Sequence, residues 1–287
     1  MPEELEIKRV GIILRPSSPE LKDLYLRVKS LFESYGVEVM IDTRSADEID
    51  VDGYDFDTMC KQSNMLVTIG GDGTLISAVR RSYGYNLPIL SINAGRLGFL
   101  ADINPNELES FFERLMNGQY RIDKRVMLEA IITREDGSKE YSSVALNDIV
   151  ISRSSISKMI RLDAYIEGEL FNRYYGDGLI LSTPTGSTAY NLSAGGPSLF
   201  PLTSAYVLTP ICPHSLTQRP MVLPSEFEVE ITTESSNATL TLDGQEKIEF
   251  SDKDRVLVRV SEKKACLVHR IERNYFKVIK EKLKWGE

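Results

Sequence analysis

No run in the 287 residues approaches the roughly 18 apolar positions that a membrane-spanning helix needs, and residues 1–9 are charged rather than apolar. A soluble protein that stays in the cytoplasm and meets no membrane is expected. Cysteine is scarce: Cys60, Cys212 and Cys266 lie far apart, show no C-x-x-C spacing and leave one thiol over after any pairing. This argues against a disulfide scaffold, and no cysteine–histidine spacing supports a zinc site, so the three read as reduced core thiols. An excess of positive charge is also missing. The net charge of −8 argues against a chain built to hold nucleic acid, which needs a basic face. It leaves small phosphate-bearing ligands open, because a few cations and backbone N–H groups suffice to hold them. Internal repeats, low-complexity tracts and long linkers are absent as well.

What is present reads as folded and globular. Hydrophobic residues make up 42% and charged residues 26% of a chain long enough for one large domain or two ordinary ones. In the first third, short apolar strands alternate with helical patterns, the signature of a parallel sheet covered by helices. Residues 10–14 predict a strand, and Leu21, Leu24, Val28, Leu31, Phe32 and Tyr35 recur at helical steps before Gly36. Strands are expected at 37–41 and 65–69 with a short helix at 56–61 between them. A helix over 75–82, a strand over 88–92 and a helix over 105–116, closed by Gly118, follow. Beyond residue 120 the periodicity becomes two, as in 127–133, 160–166 and 227–232, with turn-formers at 136–137 and 235–237. The expected fold is α/β, with an N-terminal parallel-sheet domain over 1–120 and a β-rich second domain over 121–270. A C-terminal helix over 271–287, with Phe276, Ile279 and Leu283 at helical spacing, returns to the first domain. The active site is expected between the two domains.

The most informative stretch is 66–76, where an apolar strand runs into Gly70-Gly71-Asp72-Gly73-Thr74 and a helix follows at once. Glycines let the backbone bend tightly and approach a ligand, and a helix start presents N–H groups to an anion. Gly71, Gly73 and Thr74 are therefore candidate phosphate contacts. Asp72 is placed to accept a proton from a hydroxyl or to approach a magnesium-bound phosphate. The plainer alternative is that Asp72 shapes a turn and Thr74 caps the next helix. Position at the carboxyl end of a parallel strand, where α/β ligand sites gather, favours the ligand. Neither the Walker A loop nor the G-x-G-x-x-G fingerprint is met, since Ile76 stands where the third glycine would fall. A second loop, 93–100, also follows a strand. The third segment, 175–197, gathers hydroxyls, an amide, an aromatic ring and small residues that can hydrogen-bond a ribose and stack on a base. Lys158, Arg161 and Arg173 precede it as candidate phosphate contacts, while His214 and His269 read as satisfied structural residues.

Together, the glycine loop at 70–74, Asn147-Asp148, the run through 176–197, residues 213–216 and Asp243-Gly244-Gln245 resemble the NAD kinase family, in family order and over nearly the whole chain. The resemblance implies ATP and NAD as substrates and a divalent cation, Mg2+, as cofactor. It implies that Asp72 is the base acting on the 2′-hydroxyl of the adenosine ribose, with Gly73 as a cradle beside it. Asn147 and Asp148 would hold the adenosine part, although on their own they would be an ordinary turn. Asp177 and Thr188, Ala189, Tyr190, Asn191, Leu192 and Ser193 would line the dinucleotide site, and Gln245 would contribute. A homodimer or homotetramer is implied, with part of 175–191 reaching a neighbour's dinucleotide. Many relatives carry arginine where Tyr175 stands here, which leaves the choice between NAD and NADH open. Phosphofructokinases and lipid kinases carry a similar glycine loop, so a lipid or sugar-phosphate kinase is the rival reading, and a non-catalytic NAD-sensing module another. The segment from Thr188 to Ser193 separates NAD kinases from the kinases that share only the loop.

Overall fold

A computed structural model describes residues 5–95, 98–101, 103–154, 158–236 and 238–284. Arg96 and Leu97 of the second loop, Asn237 and Trp285 lie outside the described residues. The chain begins with β1 (Arg9–Leu14), α1 (Lys22–Ser34), β2 (Glu38–Ile41), α2 (Thr43–Ile49), α3 (Phe56–Gln62) and β3 (Met65–Gly70). It continues through α4 (Asp72–Arg81), β4 (Ile89–Asn93), α5 (Leu108–Met116) and β5 (Tyr120–Arg125). Strands then take over as β6 (Leu128–Thr133), β7 (Lys139–Ala145), β8 (Asp148–Arg153), β9 (Ile160–Ile166), β10 (Glu169–Gly176) and β11 (Gly178–Ser182). A single turn, α6 (Tyr190–Ser193), precedes β12 (Ala205–Ile211), β13 (Met221–Pro224), β14 (Val229–Thr233), β15 (Ala238–Leu242), β16 (Glu246–Phe250), β17 (Arg255–Val260), β18 (Ala265–Arg270) and α7 (Tyr275–Leu283).

Two compact units result, one from residues 1–124 with 265–287 and one from 125–264. In the first, six strands among the described residues form a sheet in the order β2-β1-β3-β4-β18-β5, and the pairs β1–β2, β1–β3, β3–β4 and β4–β18 are parallel. The apolar runs of β1, β3 and β4 are buried along almost their whole length, as strands with both faces covered must be. One face meets Val28 and Phe32 of α1 and Phe111, Phe112 and Leu115 of α5. The Phe32 and Phe112 rings cross edge to face at 4.6 Å. Strand order reverses between β1 and β3, so their following loops leave a crevice at the carboxyl edge of the sheet, the usual ligand position in this architecture. The glycine loop lies at that edge.

The second unit stacks two antiparallel sheets, β10-β9-β14-β17-β6-β7 and β13-β12-β11-β8-β15-β16. Leu162, Ile231 and Val256 from one sheet meet Ile149, Leu181 and Leu240 from the other in a common core. β11 and β12 are buried throughout, which requires cover on the outer face as well. There Val150, Ile180 and Ile211 pack with Ala194, so the 183–197 run lies over the middle of its sheet.

The structure refines the expected boundaries. Gly71, extended at φ −112° and ψ −168°, caps α4 so that the helix starts at Asp72 rather than three residues later. β5 and β18 belong to the first unit's sheet, with Leu267 and Val268 in register with Ile89 and Leu90, although the change of periodicity assigned 121–270 to the second. Alternation along a strand reports that one face is buried without saying in which sheet. α2, seven residues long, carries no strong periodic signal in the sequence. The closing helix is capped by the Asn274 side chain and buries Ile279 within the first unit. Cys60 is buried and desolvation pushes its thiol up to about 12, whereas Cys212 is exposed rather than a core thiol.

Candidate active site

In the first unit, Asp72 is the opening residue of α4, directly after β3. Its Oδ2 accepts a hydrogen bond from the Phe99 N–H at 2.7 Å, and its Oδ1 accepts from Leu100 N–H at 3.1 Å and Ala101 N–H at 3.0 Å. The second loop therefore closes on the first through one carboxylate. Gly98 makes this possible, because a Cβ there would lie 2.0 Å from Asp72 Oδ1. The glycines of the first loop divide by purpose. A Cβ at Gly70 would fall 2.3 Å from Thr74 Oγ1, so that glycine serves packing, and the buried Thr74 hydroxyl turns back toward the strand end. Built at Gly71 or Gly73, a Cβ meets no atom of the described residues within 4 Å, and neither residue has a positive φ.

In the second unit, a like device holds Asn147 and Asp148. Asp243 Oδ2 accepts from Leu146 N–H at 2.9 Å, and its Oδ1 accepts from Asn147 N–H at 2.7 Å and Asp148 N–H at 3.1 Å. Asp243 occupies the left-handed region at φ 52°, which aspartate tolerates better than most residues. The Asn147 carbonyl accepts from Thr183 N–H, and Gly186 lies so close that a Cβ would come within 2.1 Å of that oxygen. Asp148 is 5% exposed; burial, reinforced by the nearby Asp243 charge, raises its carboxyl to about 7.

The 183–197 run is built partly for itself. Thr183 Oγ1 donates to the Leu146 carbonyl, and Ser187 Oγ donates to Pro184 and accepts from Leu199 N–H. Asn191, fully buried, donates from Nδ2 to the Ser187 and Pro197 carbonyls, and its Oδ1 accepts from Thr209. Its amide is thus a strut of the fold. Thr188, Ala189 and Leu192 are half-buried, while Tyr190 and Ser193 are exposed. Asp177 is paired with Arg153 at 3.1 Å. Arg161 and Arg173 are paired with Glu234 and Asp163, Lys158 and Gln245 are exposed, and the Tyr175 ring lies 5.8 Å from His214. The roles of Asp243, the amides of 99–101 and Arg273 have no sequence signal, since hydrogen bonds to backbone leave no spacing signature.

Asp148 yields a pH test. Its carboxyl is raised in the folded chain relative to the ordinary 3.8, so its contribution to stability is complete below about pH 4 and is lost as pH rises through 7. The loss runs at on the order of 1 kcal/mol per pH unit. Asp148→Asn is expected to flatten this slope, its melting temperature gaining on the parent from about pH 4 upward and levelling off near pH 8. Parallel melting curves for the two proteins across this range would contradict the assignment.

Comparison with known proteins bears on both units. Residues 10–120 match the family model for the ATP-NAD kinase N-terminal domain, and 146–270 match that for the ATP-NAD kinase C-terminal domain. An NAD kinase of Wolinella succinogenes is 54% identical over 98% of this chain and 97% of its own length. One of Sulfurimonas denitrificans is 50% identical over 98% of each. Among solved structures, yeast NADH kinase complexed with NADH superposes with a TM-score of 0.88 at 28% identity, covering 100% of this chain and 89% of that one. An Archaeoglobus fulgidus NAD kinase in complex with ATP shares the fold at a TM-score of 0.74 and 24% identity, covering 95% of this chain and 98% of that one. With both family models matched and half the residues identical to curated relatives along nearly the whole chain, the chain belongs to the NAD kinase family and is a phosphotransferase acting on ATP and NAD.

Proposed function

We propose that the γ-phosphoryl group of ATP passes to the 2′-hydroxyl of the adenosine ribose of NAD, and that Asp72 accepts the hydroxyl proton. The observation that carries this is the occupancy of the Asp72 carboxylate. A carboxylate offers about four acceptor positions. Among the described residues, two on Oδ1 are taken by Leu100 and Ala101 and one on Oδ2 by Phe99, which leaves one on Oδ2. A single hydroxyl fits that vacancy. As its oxygen bonds to the γ-phosphorus, its proton moves to Oδ2 and the bond to the bridging oxygen breaks, releasing ADP.

The uncrowded space where side chains would stand at Gly71 and Gly73, at the N-terminus of the ten-residue α4, suits the phosphates of ATP. A divalent cation, Mg2+, neutralises phosphate charge when bound. Held mainly by substrate phosphates, it would need no dedicated protein cage. For the dinucleotide we assign Asn147, Asp148, Asp177 and the accessible atoms of Thr188, Ala189, Tyr190, Leu192 and Ser193, with Asn191 holding their shape. Near neutral pH the Asp148 carboxyl is partly protonated, so it can donate a hydrogen bond as well as accept one. Gln245 follows the Asp243 anchor and Lys158 offers an exposed cation; both remain candidate contacts. Assembly as a homodimer or homotetramer in the cytoplasm completes the proposal. Edge strand β13 supports the assembly, since it leaves Met221 and Val222 exposed where a second copy could pair.

Asp72→Asn keeps the shape of the turn and removes the proton acceptor, so turnover should fall by a factor on the order of 10², with NAD affinity by calorimetry changing much less. More than half the parent turnover would reduce Asp72 to a turn residue. Gly71→Ala should melt within a few degrees of the parent yet raise KM for ATP severalfold, because the added methyl occupies ligand space. An unchanged KM would remove Gly71 from the phosphate site.

A further inference from the structure

Arg273 is a cation buried against the loop that holds Asp72. It follows β18, is 8% exposed, and donates from Nη1 to the Leu100 carbonyl at 3.0 Å and from Nη2 to the Phe99 carbonyl. These are two of the residues whose own N–H groups donate to Asp72. Phe99 and Leu100 are therefore gripped from both sides, their amides by a carboxylate and their carbonyls by a guanidinium. The guanidinium is itself held. Its Nη1 lies 2.6 Å from His269 Nδ1, and since arginine can only donate, the imidazole accepts there. His269 Nε2 faces Asp123 Oδ2 at 3.7 Å, and both of these side chains are buried. Every link of this chain lies in the first unit.

We infer that Arg273 is a positioning residue for phosphoryl transfer, one that fixes the 98–101 loop through two adjacent carbonyls and so sets the direction in which Asp72 Oδ2 points. The inference rests on the proton-accepting role of Asp72. A planar guanidinium can span two neighbouring carbonyls with parallel N–H groups, whereas an ammonium at the same place is a single point with a shorter reach. Without the fork, two inward-facing carbonyls lose a donor and the loop turns to find another. The three amides then hold Asp72 in a different direction, and a displacement near 1 Å at a reacting group is enough to slow the chemistry without abolishing ligand binding.

The test uses the full chain with Arg273→Ala, Arg273→Lys, Asp72→Asn and the double variants. Both Arg273 variants are expected to lose turnover by about 10- to 100-fold while KM for NAD and ATP stays within about twofold. Guanidinium hydrochloride at tens of millimolar should restore a substantial part of the Arg273→Ala turnover, which a general loss of packing would not allow. In the Asp72→Asn background, replacing Arg273 should cost little further turnover, because both changes act through one carboxylate. If the alanine variant fails to fold, the lysine variant and its double carry the test. Parent turnover in folded Arg273→Lys, or losses that multiply in the double variant, would overturn the inference while leaving Asp72 in place. Parent turnover in Asp72→Asn would instead remove the reading beneath it.

Discussion

A carboxylate that accepts three consecutive backbone N–H groups is the device on which each unit depends. Loops at strand ends carry amides that have no ladder partner, and buried amides without an acceptor cost stability. Asp72 answers this for residues 99–101 and Asp243 for residues 146–148. Charged acceptors make these bonds stronger than neutral ones, so a short loop is fixed by a single side chain. At Asp72 the same bonds orient a reactive group, and at Asp243 they hold the backbone of two candidate ligand residues. Fold and chemistry thus draw on the same few atoms.

The parallel sheet explains why the glycine loop can take that role. Strand order reverses at β1 and β3, and α4 starts at once after β3, so the carboxylate, the glycines and the start of the helix converge at one edge. In the second unit, Thr183, Ser187 and Asn191 of the 183–197 run bond to backbone and side chains of the fold, which leaves only part of the run's surface to a ligand. Thr183, Ser187 and Asn191 stiffen the run, and Gly186 lets it approach Asn147. A rigid support of this kind lowers the entropy cost of ordering a dinucleotide.

Much of this was legible in the residues themselves. Strands with long apolar runs, such as β3 and β11, and helices with clear periodicity, such as α1 and α5, declare themselves because burial dictates their pattern. The glycine loop was visible because strand, glycines, acid and helix follow one another in sequence. What could not be read was long-range pairing. β18 joins β4 across more than half the chain, and Arg273 reaches the carbonyls of Phe99 and Leu100. Contacts to backbone place no demand on the identity of the partner residue, so no motif betrays them. The same holds for Asn191, whose place in the run suggested a ligand and whose buried amide serves the fold.

The proposed chemistry delivers a phosphoryl group to one particular hydroxyl. Incubation with ATP, magnesium and NAD, followed by phosphorus NMR of the purified product, tests it most directly. One new phosphomonoester resonance is expected, on the 2′-oxygen of the adenosine ribose, in a product that an NADP-specific dehydrogenase accepts. A phosphate on the 3′-oxygen or on the nicotinamide ribose, or no product at all, would contradict it.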